Sequence, residues 1–197
     1  VLQRDSLLSD FDTLVGWVEE THPDPYTPFG GRIPFRLRVM ECRESLAETG
    51  NLADFSGLLA GFLSELRDGH TYLRLTPDTT TESERVPDAS CRILDEGLLF
   101  SALPDSLREY VGCVIVEIEG IPIDDVLQKA ASIRPSENRP GAYRALVNLL
   151  ITPGQSGHLF APSDRLQFTV RKPSGDKVRI GIPYVRPENR LSGALPA

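Results

Sequence analysis

The sequence predicts an α+β protein in which the helices precede the strands. Apolar residues recur at helical spacing up to about His70, whereas short β-branched runs separated by turn residues dominate after position 90. Helices followed by strands are typical of the α+β class. We therefore expect four consecutive parts: an N-terminal helical bundle at 1–76, a linker at 77–90, a β-rich module at 91–185 and a frayed tail at 186–197.

Two helices are predicted before position 50. The first covers about 5–20 and ends where Pro23 and Pro25 prevent its continuation. The second covers about 34–48, because Pro34 suits the first turn of a helix. Phe35, Leu37, Val39 and Leu46 supply the apolar positions of this second helix.

The third predicted helix covers about 52–67 and shows the strongest periodic signal in the chain. Its apolar residues follow the i, i+3, i+4, i+7 spacing of one helical face. Gly69 is expected to close this helix in a left-handed conformation. The alternating segment 71–75 is expected to leave that turn as a strand.

The C-terminal part is predicted to be built from short strands and two helices. Gly and Pro clusters separate the apolar runs, and Asp124 is placed to cap the first of the helices. The predicted elements are a hairpin at 92–100, strands at 111–118, 121–123, 166–171 and 178–182, and helices at 124–132 and 138–151.

Composition excludes several functional classes. The chain has 197 residues, and its acidic residues outnumber the basic ones by 28 to 21, for a formal net charge of −7. Without a concentrated basic patch we expect no nucleic-acid partner. Without an apolar run near the ~20 residues of a transmembrane helix we expect no membrane insertion. Buried free thiols are the simplest interpretation of Cys42, Cys91 and Cys113, which are too far apart for a C-x-x-C site.

His70 is the strongest candidate for chemistry. It lies in Asp68-Gly69-His70-Thr71, a tight turn between a helix and a predicted strand, where a rigid scaffold holds an imidazole that can face a cleft. Histidine titrates near neutral pH and suits general-base activation of a nucleophile. The alternative is a structural histidine bonded to nearby backbone.

The other two histidines have weaker functional interpretations. His22 opens the segment His22-Pro23-Asp24-Pro25-Tyr26, which is either a binding rim or a rigid helix stop with Tyr26 packed on the bundle, and we favour the helix stop. His158 ends Gly154-Gln155-Ser156-Gly157-His158, which lacks the final Gly and the preceding strand of a nucleophile elbow. We interpret that segment as a loop.

Neither carboxylates nor glycine loops indicate a cofactor. The Glu117/Glu119 and Asp124/Asp125 pairs fit outward strand positions and a helix cap better than acid/base catalysis, and 134–139 fits a solvated loop. The three histidines lack metal-ligand spacing, and no phosphate-binding glycine loop is present. The sequence therefore predicts no metal and no cofactor, and it places no Ser, Cys or Thr in a nucleophile context.

Three segments carry a resemblance to a known family. They are 22–26, the segment 63–71 with its Asp68-Gly69-His70-Thr71 ending, and the apolar segment 112–123. In this order they resemble the front half of the tail-specific (C-terminal processing) and tricorn-core serine peptidase family. The third segment resembles the PDZ-like module of that family.

The resemblance implies a role for His70 and a missing catalytic core. In one branch of the family a histidine, helped by a carboxylate, activates the nucleophilic Ser, and His70 matches that position, with Asp68, Gly69 and Thr71 shaping its turn. The Ser is expected beyond Ala197, so the isolated chain should be inactive. The implied partner is a polypeptide substrate or a protein C-terminus.

Two hypotheses follow from these observations. The chain is either the substrate-recognition and His-bearing portion of a serine endopeptidase, or a non-catalytic peptide- or ligand-binding module. Val1–Asp5 does not form a signal peptide. The family resemblance is compatible with a secreted or periplasmic protein, and the sequence sets neither substrate-binding residues nor oligomeric state.

Overall fold

The computed structural model describes residues 4–73, 85–161 and 163–191 and has the predicted α+β class. Helices occupy the N-terminal part, and an antiparallel sheet of seven strands follows. None of the described helices is long and apolar enough to cross a bilayer.

The chain divides into two compact units. The helical unit contains the N-terminal helices and also six residues from later in the chain, which the sequence analysis placed inside the β-rich module. The sheet unit contains everything else. The helical unit comprises 1–74 and 132–137, and the sheet unit comprises 75–131 and 138–197.

Three helices form the helical unit: α1 (Arg4–Thr21), α2 (Arg32–Ala47) and α3 (Leu52–Ser64). A 3₁₀ turn at Thr27–Phe29 connects the first two. Each helix overlaps the helix predicted from periodicity, and α3 begins at an Asn51 cap whose side chain accepts the Asp54 N–H at 2.8 Å.

Aromatic rings form the centre of the helical unit. Phe11 and Phe62 meet edge to face with ring centroids 5.4 Å apart, and Phe35 contacts the rings of both Tyr26 and Phe29 edge to face. Leu37 was expected among the apolar positions of α2, yet it is 55% exposed. The reason is helical geometry, because two positions along an α-helix rotate a side chain by about 200° away from the buried Phe35 face.

The end of α3 differs from the prediction. The helix stops at Ser64, and Arg67, not Gly69, has the left-handed backbone, with φ of 53°. Residues 71–73 are not in a strand, and the remainder of the predicted strand at 74–75 lies outside the described residues. The chain therefore enters the segment around His70 as an irregular turn.

The sheet unit is an antiparallel sheet with strand order β1-β7-β6-β4-β3-β2, and β5 pairs with β4. The hairpin predicted at 92–100 is confirmed as β2 and β3, which turn through Asp95 and Glu96. Phe100 and Phe168 meet edge to face inside the sheet unit, at 5.1 Å between ring centroids. The strands are β1 (Val86–Pro87), β2 (Ser90–Leu94), β3 (Gly97–Ala102), β4 (Val114–Ile118), β5 (Ile121–Pro122), β6 (Arg165–Arg171) and β7 (Lys177–Val185).

Two helices accompany the sheet. Helix α4 (Ile123–Ala131) begins one residue before Asp124, so this carboxylate lies in the first helical turn and is not the predicted cap. Helix α5 (Arg139–Ile151) begins at Asn138, whose side chain accepts the Gly141 N–H at 2.9 Å, and it packs near β1 and β2.

The predicted linker and tail are partly structured. Strand β1 and the first residue of β2 fall inside the expected linker, whose earlier part lies outside the described residues. The segment 186–191, expected to fray, is held where the Asp88 carboxylate accepts the Leu191 N–H at 3.0 Å and the Ser90 hydroxyl donates to the Leu191 carbonyl at 2.6 Å. These two bonds satisfy backbone groups that a frayed tail would leave to water.

Candidate active site

The turn at 68–71 is organised by one carboxylate. Asp68 Oδ1 accepts the backbone N–H of His70 at 2.9 Å, and Asp68 Oδ2 accepts the hydroxyl of Thr71 at 2.6 Å. An aspartate that accepts hydrogen bonds from the residues after it is a common way to fix a tight turn. The His70 side chain is exposed, so this turn presents its ring to solvent.

The same bonds shift the titration of Asp68. Partial burial alone would raise the pKa of this carboxyl, but the bonds from the Thr71 hydroxyl and the His70 N–H outweigh it and hold the pKa below 3.8. Asp68 is therefore ionised at neutral pH, and a negative charge lies beside the His70 ring.

His22 also points at Asp68, so segments 22–26 and 68–71 meet. His22 Nδ1 accepts the Asp24 N–H at 3.2 Å, which places the proton of a neutral ring on Nε2. That Nε2 is buried, has no hydrogen bond among the described residues, and lies 3.5 Å from Asp68 Oδ2. His22 thus lies behind the turn that carries His70.

The rest of segment 22–26 is a helix stop, the interpretation that we favoured. Asp24 Oδ1 accepts the Thr27 N–H at 3.1 Å, and hydrogen bonding from Thr27 is the main cause that lowers the pKa of Asp24. Tyr26 packs on Phe35 and donates its hydroxyl to Glu19 at 3.1 Å. The contact of His22 with Asp68 is not predictable from the sequence, because no local pattern marks it.

A second carboxylate lies near the ring of His70. A ring nitrogen of His70, a carboxylate oxygen of Asp68 and one of Glu137 all lie within 4.8 Å of one another. Glu137 is exposed and has no other hydrogen bond among the described residues. The sequence analysis predicted no metal site and did not single out Glu137, but this set of oxygen and nitrogen donors is able to orient an imidazole or to ligate a cation.

Segment 132–137 is attached to the helical unit by an arginine. The guanidinium of Arg134 stacks over the Tyr72 ring at 4.6 Å from the centroid, and its Nη2 donates to the Tyr72 hydroxyl at 3.4 Å. The expectation of a solvated loop at 134–139 is therefore wrong for Arg134, which is half-buried. This contact holds the segment from which Glu137 projects.

The remaining acidic candidates make hydrogen bonds within the sheet unit, although Asp124 is not the predicted cap and Glu119 lies in a turn and not on a strand. Glu117 accepts the Thr169 hydroxyl and Glu119 accepts the Gln167 N–H, each at 2.7 Å. Asp124 accepts from Arg139 at 2.6 Å. His158 ends a 3₁₀ turn at Ser156–His158, where the residue is exposed and partial desolvation of its ring lowers the pKa.

The thiols are poor nucleophiles. All three cysteines are free, and burial raises the pKa of Cys42 to about 11 and that of Cys91 to about 12. Burial also raises the pKa of Cys113. Because the thiolate is the reactive form, these cysteines are held in the unreactive state at neutral pH.

Comparison with known proteins gives a fold and no family. No family model and no curated protein matches the sequence. A serine-to-alanine mutant of CPAF, a chlamydial serine protease, matches with a TM-score of 0.62 and 19% identity over 92% of this chain and 34% of the CPAF chain. Mature CPAF complexed with lactacystin matches with a TM-score of 0.62 and 19% sequence identity, and mature CPAF matches with a TM-score of 0.61 and 20% identity. Each match covers 92% of this chain and 35% of the CPAF chain.

The chain therefore spans about a third of the length of the CPAF chains that it resembles. At this identity the likeness establishes a shared fold. The resemblance carried by the sequence is thus supported at the level of the fold alone.

Proposed function

We propose that this chain is the N-terminal, substrate-recognition portion of a serine endopeptidase of the tail-specific or tricorn type. His70 is its general base, and the nucleophilic Ser belongs to residues beyond Ala197. The observation that carries this proposal is the placement of Asp68, His70 and Glu137 within 4.8 Å of one another, on a fold shared with a serine protease.

The chemistry assigned to His70 is a proton relay. The free ring nitrogen accepts the hydroxyl proton as the Ser oxygen attacks the substrate carbonyl, and the ring then gives that proton to the leaving amine. A neighbouring carboxylate stabilises the imidazolium that forms between these steps. Glu137 fits this task better than Asp68, because Asp68 already holds the turn while Glu137 has no other hydrogen bond in the described residues.

The direct test is His70→Ala in the complete protein encoded by the source reading frame. Loss of a general base lowers turnover by roughly 10²–10⁴-fold, so cleavage of a fluorogenic peptide should fall by at least a hundredfold. The measurement pairs initial rates with circular dichroism, which should show unchanged folding because the side chain is exposed.

His158→Ala is the matched control, since it removes an exposed histidine of the sheet unit and should leave the rate unchanged. Equal rates for wild type and His70→Ala would remove His70 from the mechanism. A reading frame that stops within a few residues of Ala197 would contradict the peptidase proposal as a whole.

A non-catalytic binding module is the second candidate, favoured by the edge of the sheet. Strand β2 pairs only with β3 among the described residues, which leaves backbone groups along Cys91–Leu94 for an added strand. An extended peptide can bind such an edge by strand addition, and α5 packs near β2.

The test of this candidate is a comparison of peptide acids with their amides. Fluorescent peptides ending in a free carboxylate should bind the chain saturably and at least tenfold more tightly than the same peptides with amidated ends. Ile93→Pro removes a backbone donor on the unpaired side of β2 and should abolish binding, because the Phe100 carbonyl accepts from Gly112 and strand alternation then directs Arg92, not Ile93, toward β3. Equal affinity for acids and amides would argue against capture of a protein C-terminus.

A further inference from the structure

We propose that Asp68, His70 and Glu137 bind one divalent transition-metal ion of the Zn²⁺ class, and that this ion inhibits the enzyme by occupying the proposed base. The inhibitory part rests on the function proposed above for His70. The binding part rests only on the geometry of the three side chains.

The donor set matches such a cation. One imidazole nitrogen and two carboxylate oxygens lie within 4.8 Å of one another. In a tetrahedral zinc site the ligands lie about 2.0–2.2 Å from the metal, so neighbouring ligand atoms are about 3.3 Å apart. Because the Glu137 side chain is exposed, it can rotate to bring its carboxylate oxygen from within 4.8 Å of the other two donor atoms to the ligand spacing of about 3.3 Å. Three protein ligands leave one position for water or for an inhibitor.

The carboxylate of Asp68 is already held for this task. It accepts the His70 N–H at 2.9 Å and the Thr71 hydroxyl at 2.6 Å, and Nε2 of His22 lies 3.5 Å away. A carboxylate has about four acceptor positions, so lone pairs remain for a cation after these two donors. Metal-bound carboxylates in proteins are supported in this way by outer hydrogen bonds.

His22 lies behind the Asp68 carboxylate. Its side chain is 11% exposed, and its buried Nε2 faces Asp68 Oδ2 at 3.5 Å without a hydrogen bond among the described residues. This imidazole is therefore placed to support Asp68 from the side opposite the cation, without being a ligand.

The ligand types also decide between cations. Ca²⁺ takes 6–8 oxygen ligands and Mg²⁺ keeps an octahedral shell of oxygens, so neither is suited to a site with an imidazole and two carboxylates. Imidazole with carboxylate suits zinc. A zinc ion on the His70 nitrogen would hold the lone pair that the base needs, which makes the ion an inhibitor and not a catalyst in this proposal.

Binding is tested by titrating the tag-free 197-residue chain with ZnCl₂ in a calorimeter at pH 7. We expect one saturable site, binding at least tenfold weaker in Glu137→Gln, and no binding at that site in His70→Ala. His158→Ala and Glu188→Gln, exposed residues of the sheet unit, should bind as wild type does. CaCl₂ should give no comparable heat.

The support that His22 gives to Asp68 is tested by His22→Phe. Because His22 is not itself a zinc ligand in this proposal, its replacement should weaken zinc binding about tenfold and not abolish it. In heteronuclear NMR, zinc should shift the ring signals of His70 and leave those of His158 in place. Unchanged binding in both Glu137→Gln and His70→Ala, or loss of binding in His158→Ala, would overturn the site.

Inhibition is tested separately in the complete protein. Zinc should lower the peptide-cleavage rate at least tenfold, a chelator should restore it, and Glu137→Gln should require about tenfold more zinc for half inhibition. Zinc binding that leaves the rate unchanged would overturn the inhibitory role. If His70→Ala leaves turnover unchanged while the binding results hold, the proposed catalytic function fails and the metal site stands.

Discussion

Among the described residues, two turns place a non-glycine residue in the left-handed region, and they use it differently. Arg67 has φ of 53° before the turn at 68–71, and Glu119 has φ of 52° between β4 and β5. Such a conformation costs an L-residue roughly 1–2 kcal/mol. In both turns a carboxylate near the strained residue accepts a backbone N–H.

We call the turn at Glu119 closed, because it is hydrogen-bonded to the neighbouring strand β6. Glu119 and Gly120, with φ of 75°, form the two central residues of a hairpin turn in which both φ values are positive. The Glu119 N–H donates to the Gln167 carbonyl at 2.8 Å, and the Glu119 carboxylate accepts the Gln167 N–H at 2.7 Å. Every feature of this turn serves strand pairing.

We call the turn after Arg67 open, because it pairs with no strand among the described residues. The Arg67 side chain is exposed and makes no hydrogen bond or ion pair among the described residues, while Asp68 gathers donors from His70 and Thr71 and faces His22. The left-handed residue Arg67 therefore takes part in no strand pairing among the described residues, and it precedes the turn in which the His70 side chain is exposed. Strain that is unrelated to local pairing is typical of functional sites.

The largest expected effect comes from removing the carboxylate of the open turn. Asp68→Ala leaves the backbone N–H of His70 and the hydroxyl of Thr71 without an acceptor and removes the charge that His22 Nε2 faces at 3.5 Å, so the free energy of unfolding should fall by about 2 kcal/mol. Urea unfolding at pH 7 measures this free energy. The exposed control Glu137→Ala should change the free energy of unfolding by less than about 0.5 kcal/mol.

This effect should depend on pH in a defined direction. The folded-state pKa of Asp68 is lowered below 3.8, so its stabilisation is present above that value and is lost as the pH falls through the folded-state pKa. The gap in unfolding free energy between wild type and Asp68→Ala should therefore narrow as the pH falls below 3.8. A gap that is constant with pH would show that the ionised carboxylate is not what holds the turn.

The second largest expected effect is a gain in the free energy of unfolding. Arg67→Gly removes the cost of a left-handed backbone, roughly 1–2 kcal/mol. It also increases the conformational entropy of the unfolded chain, which lowers stability by about 0.4–1 kcal/mol. The free energy of unfolding should thus rise by about 0.5–1 kcal/mol. Arg67→Asn, which tolerates this conformation, should give a smaller rise. A loss of stability in Arg67→Gly would mean that the Arg67 side chain makes a contribution that its exposure does not indicate.

The same two turns show what the sequence was able to predict. Periodicity located all three N-terminal helices, and alternation located the β2–β3 hairpin, because each signal lies within one element. Gly69 was the obvious residue for a left-handed cap, yet α3 ends early and Arg67 takes that conformation. Intrinsic preference is overridden there by the bonds of Asp68 to the following residues.

The candidate site was predictable only in its local part. His70 and its turn stand out in the sequence because the helix before them and the Gly-containing turn are contiguous. Glu137 and Arg134 were not predictable, because they reach the helical unit through segment 132–137, which lies far along the chain between α4 and α5. The His22 contact was missed for the same reason, since it joins two segments that no periodic pattern connects.

The smallest expected effect is at the closed turn, and it separates the two kinds of strain. Glu119→Gly relieves the same left-handed backbone but also removes the carboxylate that accepts the Gln167 N–H, a bond worth about 0.5–1.5 kcal/mol. The gain and the loss nearly cancel, so the free energy of unfolding should change by less than about 0.5 kcal/mol. Glu119→Gln keeps an acceptor at the same place and isolates the contribution of the charge. If Glu119→Gly stabilised the protein as much as Arg67→Gly, the carboxylate of Glu119 would contribute nothing to the turn, and the contrast between a turn built for pairing and a turn built to present a side chain would be lost.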